Sequence, residues 1–434
     1  MPRVLVVTSM FLPYLAADTH RARLLATELP RVGWEVEILV PGDEFQLPGH
    51  QEPHAELLAV NAPVHRVSPE WSSLFRLLNS RTLGWRAYRP LRREGDALLS
   101  RKDFDLVFFS CSQSALFYLG HGWRQRFGVP FVIDLHDPWY TPLLRGASHL
   151  PGWKRRVSNY LAYFLERATV RQAAGLVSVS PMYLETLNQR YWGCDWPALL
   201  PGRQAAIPFG ACERDYWAAD QLPQSDFKVS QPGIHTIVYT GAGGPIMEES
   251  FRALCRQLAV ARKRAPALFS GLQIQLFGTE PLVGERAPVL SRVAAEEGLE
   301  SLIYEHPARL SYLEALRRVS DADGLLIFGV NDPAYAPSKL FLYALSGKPI
   351  LACLRSGSVV DRHFVESPDL GWLIHFEPGS RGAHAAEVES LLAYLHAVGQ
   401  RRVVDRRLTL DPWMAPAMAH RLAAFFDSCL EPTP

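Results

Sequence analysis

Apolar residues along this chain fall into short continuous runs, separated by stretches in which they recur at helical spacing. Val4-Leu-Val-Val-Thr8 is the first run and predicts a strand buried on both faces of a parallel sheet. A loop carrying Phe11, Pro13 and Tyr14 follows, and then Ala22, Leu25, Ala26 and Leu29 predict a helix over 19–32 that Gly33 stops. Residues 34–40, Trp-Glu-Val-Glu-Ile-Leu-Val, predict the next strand, which ends at Pro41-Gly42. Strand, helix and strand in this order make a βαβ unit, so the first sheet is expected to be parallel.

The alternation continues with strands expected at 105–109, 131–135 and 175–179, and helices at 114–127, 153–173 and 181–190. Residues 218–234 are rich in Gln, Pro, Asp and Ser, lack periodicity, and read as a linker. Beyond them the pattern restarts, with strands at 235–239, 272–277, 324–328 and 349–353. Helices are expected up to Lys263, over 310–319 and over 338–346. This predicts a first domain over 1–217 and a second over 235–411, with a final helix at about 412–430 that can pack back on the first.

Composition narrows the picture. Over 434 residues, 48% hydrophobic and 21% charged content supplies apolar mass for two cores. A net charge of +1 gives no reason to expect nucleic acid as a partner. The six cysteines are scattered without zinc or redox spacing, which predicts reduced core thiols and a cytoplasmic setting. No run approaches the roughly 20 apolar residues needed to cross a bilayer, so any membrane contact is expected to be peripheral.

Ligands of open parallel sheets bind beyond the carboxyl ends of the strands, so the residues there are the candidates. Asp134, His136 and Asp137 end one strand; the histidine can orient a hydroxyl and a carboxylate can hold an acceptor, or the three simply shape a turn. Pro337, Ser338 and Lys339 open a helix whose free amides and lysine suit a diphosphate, although an ordinary capped helix reads the same way. Gly241-Ala-Gly-Gly244 follows a strand and permits close backbone approach to phosphate, as does Gly278. The Asp321-Ala-Asp323 pair has the look of a metal motif but reads better as a helix-to-strand turn, so no metal is expected. Basic and aromatic residues mix over 153–164 and can touch an anionic membrane or a lipid-linked acceptor, or belong to the core. Arg76, Arg81, Arg86, Arg89, Arg92 and Arg93 add positive charge upstream.

In order and spacing these segments resemble the family 4 glycosyltransferases, retaining enzymes of GT-B fold. Residues 128–139 resemble the family's strand ending in histidine, 173–181 its following strand, Ile207-Pro-Phe-Gly210 its turn before the linker, and 337–349 its Pro-Ser-Lys-Leu-Phe segment. The resemblance implies two Rossmann-like α/β domains with parallel sheets facing a central cleft. It implies a nucleoside-diphosphate sugar held mainly by the second domain and a glycan, lipid-linked or small-molecule acceptor held by the first. It also implies no metal and no cofactor. By the same resemblance His136 contacts the donor sugar, Ala16 and Ala17 stand where glycines usually approach the diphosphate, and Ser338 and Lys339 face the phosphates. The sequence departs from the family at Ala334 and Leu342, where paired glutamates are usual, the second of them a ribose ligand. It departs again at Ala242, where an arginine is usual, leaving Lys339 and Arg309 as the available charges. A protein that binds nucleotide without turnover is the alternative these departures favour; a sugar-nucleotide epimerase shares the fold, but 338–349 looks like the transferase version.

Overall fold

Strands with apolar residues at consecutive positions need cover on both faces, and the computed structural model supplies it twice. It describes residues 1–45, 50–68, 83–140, 153–223, 233–279, 289–335, 339–377, 379, 382 and 384–431. The chain divides into one unit of Met1–Gly210 with Ala415–Pro434 and a second of Ala211–Met414.

The first unit holds β1 (Arg3–Val7), β2 (Glu35–Pro41), β3 (Val64–Val67), β4 (Leu106–Ser110), β5 (Phe131–Leu135), β6 (Gly175–Ser178) and β7 (Gln204–Ala206). They form a seven-stranded sheet in the order β3-β2-β1-β4-β5-β6-β7. Every pairing is parallel. β4 and β5 are buried at each position, as their unbroken apolar runs require. On one face Phe109 stacks on Trp123 with ring centroids 5.8 Å apart and meets Phe131 edge-on at 6.0 Å. On the other, the final helix Ala415–Leu430 returns to this unit. Phe426 lies 5.0 Å from Phe108 and 5.4 Å from Trp34, and the Trp34 indole donates to Asp427 at 3.2 Å.

The second unit holds β8 (His235–Thr240), β9 (Leu272–Phe277), β10 (Ile303–His306), β11 (Gly324–Phe328), β12 (Ile350–Arg355) and β13 (Trp372–Phe376). Their order is β10-β9-β8-β11-β12-β13, again all parallel. Both sheets therefore have the doubly wound order, with a topological switch between β1 and β4 and another between β8 and β11.

The structure differs from the sequence reading in instructive ways. The boundary falls after Gly210 rather than at 217, because the helix Glu213–Asp220 packs inside the second unit. Tyr312 Oη donates to Asp215 at 2.6 Å and Tyr216 Oη to the Leu342 carbonyl at 2.7 Å, which fixes that helix there. Residues 224–232 of the expected linker lie outside the described residues. The helix expected over 19–32 runs Ala17–Glu28 and tightens into a 3₁₀ turn at Leu29–Val32, ended by Gly33 at φ 93°.

Candidate functional site

Each unit gathers polar residues at its own switch point. In the first, Ser9 follows β1, Asp18 lies in the first turn of helix Ala17–Glu28, Ser110 ends β4, Asp134 is in β5 and His136 follows it. Asp134 accepts from the Arg21 guanidinium at 3.0 Å, from Ser110 Oγ at 2.9 Å and pairs with His136 Nε2 at 2.8 Å. His136 Nδ1 lies 3.3 Å from Asp18, whose carboxylate also accepts from the Ser112 amide at 3.1 Å and from Ser9 Oγ. Arg21 donates further to the carbonyls of Ile207 at 2.6 Å and Pro208 at 3.0 Å. Phe209 then closes the cluster, edge-on to His136 at 5.1 Å and beneath the guanidinium at 4.8 Å.

Charge balance explains why this cluster can be buried. Two carboxylates face two cations, each ion with a partner and further hydrogen bonds. Burial pulls the His136 imidazole towards neutrality, but Asp134 and Asp18 outweigh it and raise its pKa to about 9. Burial likewise pushes Asp134 up, and Arg21 and His136 overcome that to hold it at about 2. His136 is therefore an imidazolium at neutral pH, with both ring nitrogens spent on carboxylates. Asp134 is wholly buried, so it acts on the site through His136 and Arg21 rather than by touching a ligand. Asp137 is exposed. Ala16 and Ala17 start the helix that carries Asp18, and both are partly exposed.

The sequence reading missed Asp18, Arg21, Ser9, Ser110 and Ser112. One signal was legible: Arg21 stands three residues after Asp18 and four before Leu25, on the apolar stripe of its helix. A charged residue on a buried stripe asks for a buried partner.

In the second unit the switch point is held by Thr240 at the end of β8, Gly241 and Lys339. The Lys339 ammonium donates to the Thr240 carbonyl at 2.6 Å and sits 4.0 Å above the Tyr239 ring. Among the described residues no carboxylate offsets its burial, and its pKa falls to about 7. Gly241, at φ 133°, passes so close that a Cβ there would lie 2.3 Å from Lys339 Nζ. Tyr343 Oη braces the same strand end, accepting from the Thr240 amide at 2.9 Å. The Ala242 carbonyl accepts from Tyr239 Oη at 2.5 Å, the Gly243 amide donates to Thr279 at 2.8 Å, and Gly278 turns at φ 69° beside the backbone of Arg309. The solvated lysine anticipated as an ordinary reading of Lys339 is thus replaced by a partly buried one. Pro337 and Ser338 lie outside the described residues, and the following helix runs Leu340–Leu345.

Other sequence candidates have structural partners. Asp323 is buried, accepts from the Thr236 amide at 2.9 Å and pairs with Arg401 at 3.1 Å, so it serves as a turn anchor. Ala334 is buried with its amide on Asp332 at 2.9 Å, and Leu342 packs against the apolar cluster around Leu340 and Phe341. Among the described residues no group of three His, Cys, Asp or Glu side chains could hold a metal.

Two doubly wound units, each with a polar site at its switch point, define the class: the fold is that of the GT-B glycosyltransferases. Residues 20–196 match the family described as Glycosyltransferase Family 4. The chain is similar to HepE of Anabaena in complex with UDP and glucose, with TM-score 0.62 and 15% identity over 99% of this chain and 100% of that one. It is also similar to sucrose-phosphate synthase from Thermosynechococcus elongatus, with TM-score 0.60 and 14% identity over 98% of both chains. A glycosyltransferase from Rickettsia africae aligns with TM-score 0.55 and 12% identity over 100% of this chain and 99% of that one. No curated protein matches the sequence. At such identities the solved structures speak for the fold alone.

Proposed function

We propose that the chain transfers a sugar from a nucleoside-diphosphate sugar to a hydroxyl acceptor with retention of configuration. The observation that carries this reading is Lys339, a cation under cover at the β8/β11 switch point, held against the strand end where Gly241 has no Cβ to block its ammonium. HepE, similar in fold, was solved with UDP and glucose, which makes a UDP-sugar the first donor to try.

In this mechanism the Lys339 ammonium faces the diphosphate and stabilises the charge that builds as the glycosidic C–O bond breaks. The acceptor hydroxyl attacks from the face the diphosphate leaves, and a departing phosphate oxygen takes its proton, so no protein nucleophile is needed. On the first unit, exposed Asp137 is the carboxylate open to an acceptor hydroxyl. His136 contributes a fixed positive charge rather than a base, since its nitrogens are already bonded. The reading needs no divalent metal, and turnover is expected to survive chelator.

A panel of nucleotide sugars with release of nucleotide as the readout tests the proposal. Turnover that Lys339→Met abolishes supports it; absence of release with every donor and acceptor counts against it. Leu342, where the resembled family carries its ribose-binding glutamate, favours a second reading of binding without turnover. Calorimetry with UDP and GDP separates the two, because tight binding without release selects the second.

A further inference from the structure

We propose that the helix Trp153–Val170 of the first unit docks on an anionic membrane surface, a role separate from sugar transfer. Tyr160, Leu161 and Phe164 are exposed by 67%, 45% and 62%. At positions i, i+1 and i+4 they share one side of the helix, so three large apolar side chains stand out from a single patch. The opposite side anchors the helix: Glu166 and Thr169 are buried, and Glu166 accepts from the Tyr140 amide at 3.0 Å and Tyr191 Oη at 2.8 Å and pairs with Arg190.

Charge selects the partner. Residues 153–171 contain Lys154, Arg155, Arg156, Arg167 and Arg171 against the single acid Glu166, which is buried and neutralised. The chain as a whole carries only +1, so positive charge is concentrated here. Arg167 and Arg171 are exposed and follow Phe164 at i+3 and i+7, continuing its stripe. Aromatic rings suited to headgroup depth, flanked by cations suited to lipid phosphate, form an interfacial anchor. A second copy of the same face would bring like charges together, which disfavours self-pairing. Among the described residues no helix is long and apolar enough to cross a membrane, so the contact lies at the surface.

The test is co-sedimentation of the full chain with vesicles of phosphatidylglycerol and phosphatidylcholine, and with phosphatidylcholine alone. Binding is expected to the anionic vesicles only, to be released by high salt, and to fall about tenfold or more in Tyr160→Ser/Phe164→Ser. That double variant should keep its thermal unfolding midpoint, because both side chains are exposed. Wild-type protein that stays in solution with anionic vesicles would overturn the proposal, as would a folded double variant that sediments like wild type. Self-association lost in that variant without vesicle binding would assign the face to a second copy instead.

Discussion

Each unit places a cation under cover near the switch point of its own sheet, and the two cations are treated oppositely. His136 in the first unit lies between two carboxylates and is raised to about 9; Lys339 in the second meets, among the described residues, a carbonyl and a ring face and is lowered to about 7. Burial acts the same way on both, and the neighbours decide the outcome. The first site is a finished electrostatic structure that no ligand is needed to complete. Among the described residues the second has no carboxylate beside its cation, and the proposed diphosphate would supply that charge.

Breaking the first site should have the largest effect. Arg21→Met leaves Asp134 buried without its guanidinium, and a loss of about 3–5 kcal/mol in urea unfolding is expected. A loss under about 1 kcal/mol would mean that solvent reaches Asp134, and the contrast between the sites would collapse.

Next comes the pH dependence of that site. The folded pKa of His136 lies above the unfolded value of about 6.5, so its stabilisation is complete below that pH and is lost as pH rises through about 9. The amount is on the order of 3 kcal/mol. Asp134 has the reverse sign: its contribution is present above about 4 and lost as pH falls through about 2. Urea midpoints measured across this range should slope on the alkaline side in wild type and flatten in His136→Gln.

The second site should respond in ligand affinity more than in stability. Lys339→Met is expected to weaken UDP binding by about 10–100-fold while leaving the unfolding midpoint within about 1 kcal/mol. Because diphosphate favours the charged amine, wild-type binding should take up a proton and weaken by about tenfold per pH unit above 7. Calorimetry in two buffers of different ionisation enthalpy reads that proton; equal heats would show that Lys339 does not meet the phosphate.

The smallest effect is expected from Leu342→Glu, which restores the carboxylate usual in the resembled family. A gain of about 1 kcal/mol in UDP affinity would place the ribose there. No gain would show that this chain holds the nucleotide differently.

The interior strands of both sheets were legible from sequence, because a strand covered on two faces must be apolar at consecutive residues. The edge strands β3, β7, β10 and β13 were not. Val64-His-Arg-Val67 and Ile303-Tyr-Glu-His306 are half exposed and mix polar with apolar residues, so no run marks them. The same limit applies to the sites. Asp134, His136 and Lys339 could be singled out because strand ends and helix starts are local features. Asp18 and Arg21 could not be assigned partners, since they meet His136 and Asp134 across 118 and 113 residues of chain.

Composition and periodicity alone thus determined an α/β chain of two parallel sheets and the places where ligands of such sheets are met. Tertiary structure decided which charges survive there. A side chain's protonation depends on the groups within a few ångströms of it, and in a doubly wound fold those groups arrive from strands and helices far apart in the chain.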